Sequence, residues 1–298
     1  MRYYRIGSTI LTMAATLFFT SCGNGESQEE GVDETFVEEV EQELVNGGER
    51  VVYYGTPSLV EVASIMESSG AEFTPELLND PSLSSNYNTN DIKALNLGVY
   101  GADLAYSAMF EHTQESINFL KTIKTMSEEL GLTGAFEADL ISSIETNITN
   151  RDSLLDVVTD FYWSADAYLQ DNDRSNVAAL IIAGGWLESM YLACNMSANS
   201  PNNKDIKKKI SEQKLILKNL VLFLEDAGKG DGSVEAINTK MKELQGIYSR
   251  IEITHGDIET EVKDGEVIIE NETEVKLDEE VLKELCGKIS QIREEIVQ

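Results

Sequence analysis

The residues best suited to chemistry lie in the run Asn96-Leu97-Gly98-Val99-Tyr100-Gly101-Ala102-Asp103-Leu104-Ala105-Tyr106. Asp103 interrupts an otherwise apolar, glycine-rich stretch, with Tyr100 and Tyr106 three residues to either side. On a helix that spacing sets both phenols beside the carboxylate on one face. Phe161-Tyr162-Trp163-Ser164-Ala165-Asp166 repeats the mixture of ring and acid, and Trp186 with Glu188 supplies a third instance. A carboxylate among aromatics can hold a polar ligand; two acids at the right separation can run general acid–base chemistry. The candidate ligand-binding set is therefore Tyr100, Asp103, Tyr106, Trp163, Asp166, Trp186 and Glu188. The same residue types also serve architecture, with acids bridging buried hydroxyls and rings filling a core.

Other chemistries find little support. Glu252-Ile253-Thr254-His255 reads as a lone Glu-x-x-His at a helix end. A di-iron carboxylate bundle needs two such motifs and two further glutamates. His112 sits in Glu111-His112-Thr113-Gln114-Glu115, which has the wrong order. Asp171-Asn172-Asp173 begins like a calcium loop but lacks the glycine and the closing glutamate. The glycines of Gly228-Lys229-Gly230-Asp231-Gly232-Ser233 lack the order of a phosphate loop, and no Gly-x-Ser-x-Gly elbow occurs. No metal, cofactor or catalytic residue is expected. Cys194 and Cys286 fall on apolar helical faces, compatible with one disulfide or with two buried thiols.

The elements that must position these side chains are mostly helices. Hydrophobic periodicity with caps and breakers predicts helices over 56–70, a short one from Thr74-Pro75 to about Asn79, and then 90–111 and 114–130. Further helices are predicted over 135–148, 152–170, 175–197, 204–226 and 234–251, making about nine. Asp264-Gly265 between two alternating runs signals a hairpin, and Glu272 to Leu277 could add a third strand. Asp278 then caps a final helix whose Leu282, Leu285, Ile289, Ile292 and Ile296 form a core-facing stripe. The predicted class is mainly α, a multi-helix bundle over 51–256 with a docked β-hairpin or meander and last helix over 257–298.

Small residues line up on two helices: Ala94, Gly98, Gly101, Ala102, Ala105 and Ala108 on one, and Ala178, Ala179, Ala183, Gly184, Gly185 and Ala193 on the other. Each interior glycine costs about 0.8–1 kcal/mol against alanine, for which close helix packing is the usual compensation. A shift of 85 residues aligns Asp103 with Glu188 and Tyr106 with Tyr191, so a duplicated helical hairpin is one reading of this chain.

Ahead of the helices stands an address. Arg2 and Arg5 precede an apolar run from Ile10 to Phe19, about half the roughly 20 residues a membrane span needs. Phe19-Thr20-Ser21-Cys22 resembles the lipobox of bacterial lipoproteins, with Phe where Leu is usual. That resemblance implies cleavage before Cys22, acylation of Cys22 and a membrane attachment made by lipid. Gly23 in place of an Asp favours the outer membrane, and Glu26-Ser27-Gln28-Glu29-Glu30 resembles acidic surface-export signals of Bacteroidota lipoproteins. Which face of that membrane carries the protein is left open. Residues 22–50, with ten acids and Arg50 as the only base, read as an extended tether.

The 298 residues carry 53 acids against 23 bases, a formal charge of −30. A nucleic-acid partner needs a basic footprint, and none is visible. The helical motifs quoted above, with Asn150-Arg151-Asp152-Ser153-Leu154-Leu155 and the Ala178–Trp186 run, resemble an uncharacterised family of helical Bacteroidota lipoproteins over about residues 54–298. The resemblance implies localisation and a single domain and assigns no activity. The expected function is a non-enzymatic, lipid-anchored module that binds an envelope protein or a small ligand. The alternatives are a carboxylate-based hydrolase or metal-dependent enzyme, and a purely structural envelope protein.

Overall fold

The computed structural model describes residues 70–132, 172–200, 203–263 and 266–298, with 153, 155, 159–160, 164–165 and 168–170 between them. The signal segment, the tether and the helices expected over 56–70 and 135–148 lie outside the described residues. Those described between 153 and 170 are helical.

The described residues begin with 3-10 turns at Pro75–Leu77 and Pro81–Asn86, the second where a polar loop was expected. Pro81 presets the backbone there, and the Asp80 carboxylate accepts from the Ser82 N–H at 2.8 Å. Helix α1, Asn90–Met109, starts on a Thr89 cap. It ends two residues earlier than its apolar pattern suggests. Glu111 adopts φ 60°, and the His112 N–H reaches back to the Ser107 carbonyl at 2.9 Å. That reach-back closes the helix as a Schellman cap does. Helix α2 follows at Thr113–Glu129, and Gly131 leaves it at φ 70°.

Helices α3, Ser175–Asn199, and α4, Lys204–Ala227, form a second hairpin, and α5 runs from Gly232 to Tyr248. Strands β1, Glu252–Lys263, and β2, Glu266–Lys276, are antiparallel, and α6, Glu279–Val297, closes the chain. Among the described residues the sheet has two strands. The expected third strand is the far end of β2, whose Lys276 to Thr273 pair with Glu252 to His255. A register shift between His255 and Ile258, beside Gly256, lets β1 begin earlier than its alternating pattern does. Glu252 and His255 thus lie in a strand and not on a helix. The placement of Glu252-Ile253-Thr254-His255 at a helix end is thereby corrected.

The core centres on α3. Its 18-residue window has a mean hydropathy of 1.6, enough on length and composition to cross a membrane, and is 94% buried in this fold. Neighbouring helices surround it, so apolarity all round answers to burial within protein. Its closest partner is α1, and the two run in the same direction. Leu95 meets Gly184, Gly98 meets Ile181 and Gly185, and Tyr106 reaches Met196. A β-carbon on Gly98 would stand 2.0 Å from the Ile181 carbonyl oxygen, and one on Gly184 would stand 2.0 Å from that of Leu95. Gly98 of one small-residue stripe and Gly184 of the other are therefore points of backbone contact between these two helices. α6 lies antiparallel to α3, clamped at one end by a disulfide between Cys194 and Cys286. Of the two states open for these cysteines, the bonded one is present.

Candidate functional site

Helix α1 is buried from Ala94 to Met109, yet it carries Asn96, Tyr100, Asp103 and Tyr106 at intervals of four, three and three. That spacing makes a polar stripe down one face of a core helix. The segment from Phe73 to Tyr87 runs along this stripe and is held by it. The Tyr106 hydroxyl accepts from the Thr74 N–H at 3.0 Å, and Asp103 Oδ2 accepts from the Asn79 N–H at 3.1 Å. Tyr100 donates to the Asp80 carbonyl at 2.9 Å. Asn96 Oδ1 accepts from the Asn79 amide at 3.3 Å, while its Nδ2 donates to the Ile296 carbonyl at 2.6 Å. Of this segment Asn79 and Tyr87 are buried, and where its inner side meets the core the stripe supplies partners for the Thr74 and Asn79 N–H groups and the Asp80 carbonyl.

Across the α1–α3 seam, Asp103 faces Glu188, and both are fully buried. Arg293, from α6, closes the group. Its Nε donates to Glu188 Oε2 at 2.9 Å and its Nη2 to Oε1 at 3.1 Å, a bidentate pair. Nη2 also donates to the Leu77 carbonyl at 3.2 Å, and the guanidinium lies 4.6 Å from the centre of the Tyr191 ring. Two acids share one cation in a space without solvent. Burial raises the Asp103 carboxyl well above its ordinary value, and the Glu188 charge pushes it the same way. Burial raises Glu188 too, but Arg293 and the bond from Asp103 oppose that rise. Of the two acids, Asp103 is thus the one pushed harder toward its neutral form. Its Oδ1 meets no amide or hydroxyl donor, so a proton there, shared with Glu188, completes its bonding.

The sequence-derived set resolves into parts. Asp103 and Glu188 come together, and Tyr100 and Tyr106 flank Asp103 while spending their hydroxyls on the 74–80 segment. Trp186 turns to α4 and donates to Gln213 at 3.2 Å. Trp163 and Asp166 lie outside the described residues. Asn79 and Arg293 complete the constellation and were not anticipated. Arg293 carried a faint signal: it stands four residues after Ile289, at the edge of the α6 core stripe.

No group of three or more metal-ligating side chains occurs among the described residues. An open cleft of about 360 Å³ lies elsewhere, between α3, α4 and α6, and the disulfide lines it. Comparison with protein-family models, curated proteins and solved structures finds no match to the chain.

Proposed function

We propose that this chain is a lipid-anchored envelope module, held to the outer membrane through acylated Cys22, that works by binding a partner with its surface. The observation that carries the reading is the fate of the acids. Asp103 and Glu188 are 0% exposed and are answered by Arg293 and the Asn79 N–H, so the strongest carboxylate pair is engaged within the core. An active site needs its acid and base within reach of a substrate, and these two face each other instead. The disulfide supports an exported chain, since such bonds persist in oxidising compartments.

The test has two arms. Cells given an alkyne fatty acid should label the wild type and leave Cys22→Ser unlabelled; a mature chain that begins elsewhere than at acylated Cys22 refutes the anchor. Cross-linking in intact cells with a tagged, anchored copy should capture the same envelope protein from wild type and Asp103→Asn. Loss of that partner in a folded Asp103→Asn protein would return the acids to the binding site.

A further inference from the structure

Cys194 and Cys286 both line the cleft of about 360 Å³, with Ser197, Asn203, Lys207 and Lys283 among its other walls. Cys194 is 6% exposed and Cys286 is half-buried, so Cys286 is the more accessible residue of the pair. The cleft's charge runs against that of the molecule. Lys207 is bonded to Glu279 at 2.6 Å, and Lys283 pairs with no described acid. Two ammonium groups and one carboxylate leave a local excess of one positive charge on a chain whose formal charge is −30. The volume is at the lower end of that of small-molecule sites.

We propose that this cleft is a thiol–disulfide exchange site for a small anionic thiol, with the Cys194–Cys286 bond as its electrophile. The thiolate attacks Cys286 Sγ; a new S–S bond forms as the Cys194–Cys286 bond breaks. The electron pair passes to Cys194 Sγ, which leaves as a thiolate and takes a proton from water. A second thiolate attacks the thiol-derived sulfur of the mixed disulfide and releases Cys286 as a thiolate. Two molecules of the thiol are oxidised to their disulfide, and the protein bond is reduced. Lys207 and Lys283 act twice, drawing the anionic group into the cleft and favouring the leaving thiolate. The bond joins α3 to α6, the helices that also carry Glu188 and Arg293, so exchange unfastens one end of the seam that the buried ion pair holds at the other. This site is separate from the acids and does not depend on the anchored-module reading.

The experiment compares 2-mercaptoethanesulfonate with cysteamine on the whole oxidised chain in a non-ionic detergent. Reduction is followed by maleimide trapping and intact mass, and each rate is divided by that thiol's rate on uncharged hydroxyethyl disulfide. The chain's overall charge favours the cationic thiol; the cleft favours the anionic one. The expected result is that the sulfonate reacts about three- to fivefold faster after normalisation, the scale of a partly screened charge pair. In Lys283→Glu the preference should invert, and in Lys283→Gln it should shrink. Equal rates, a faster cysteamine reaction with wild type, or no reaction until the protein is unfolded would each overturn the proposal.

Discussion

The proton on Asp103 makes a prediction that can be worked through. In the folded protein the group is fully buried beside the Glu188 carboxylate, and both influences push its carboxyl toward the neutral form against the pull of Arg293. In the unfolded chain it ionises near pH 3.9, so folding at neutral pH includes the uptake of a proton. A raised folded pKa contributes stability that is fully present below the unfolded value and is lost as pH rises through the folded one. At pH 7 the distance is about three pH units, and at about 1.4 kcal/mol per unit the ceiling on the cost is about 4 kcal/mol. Asp103→Asn removes that cost without altering the bonding. The amide oxygen accepts from the Asn79 N–H as Oδ2 does at 3.1 Å, and the amide N–H donates to Glu188 as the acid proton does. The substituted protein should be more stable than wild type at pH 7 by up to about 4 kcal/mol, with the advantage vanishing near pH 4. Urea unfolding followed by circular dichroism at pH 4, 5.5 and 7 reads this directly. A substituted protein that is less stable at pH 7, or a difference that is flat with pH, would refute the assignment of the proton.

Removing the cation should do the reverse. Arg293→Met leaves Glu188 buried without its partner, and breaking such a pair costs about 3–5 kcal/mol at neutral pH. Glu188 then takes a proton as pH falls toward its ordinary range, so the loss should shrink between pH 7 and 4.5 in the same unfolding series. Alanine at two helical glycines should give opposite signs. At Gly98 the new carbon meets the Ile181 carbonyl at 2.0 Å, so α1 and α3 must part. Overpacking of about 1–3 kcal/mol or more outweighs a helix-propensity gain of about 1 kcal/mol, and the melting temperature should drop. At exposed Gly246, with nothing within 4 Å, only the propensity gain remains and the melting temperature should rise.

Much of the frame was legible along the chain because it rests on local rules. The α2, α3 and α4 boundaries follow from apolar periodicity, and α6 from its Asp278 cap, whose carboxylate accepts from Glu280 N–H at 2.7 Å. The hairpin followed from its two-residue connection. Its length did not, since the register shift that lengthens β1 depends on which residues face each other across the strands. The polar stripe of α1 was noticed as a set of chemical groups, yet its use could not be read. Whether a buried phenol meets a ligand or a backbone carbonyl depends on a segment some 20 or more residues away.

The sequence by itself determined the helical class, the acidic character and the pairing of small residues with close packing, because each is a property of neighbours in the chain. The tertiary structure alone decided what the acids do. Asp103, Glu188 and Arg293 come from three helices, with Glu188 and Arg293 separated by 105 residues, and only packing α1 and α6 against α3 brings them together. An isolated carboxylate in a sequence is a candidate for catalysis, for binding or for support. Burial of two acids beside one cation is a condition that three-dimensional proximity creates. The same proximity closes the disulfide over 92 residues and opens the lysine-lined cleft beside it.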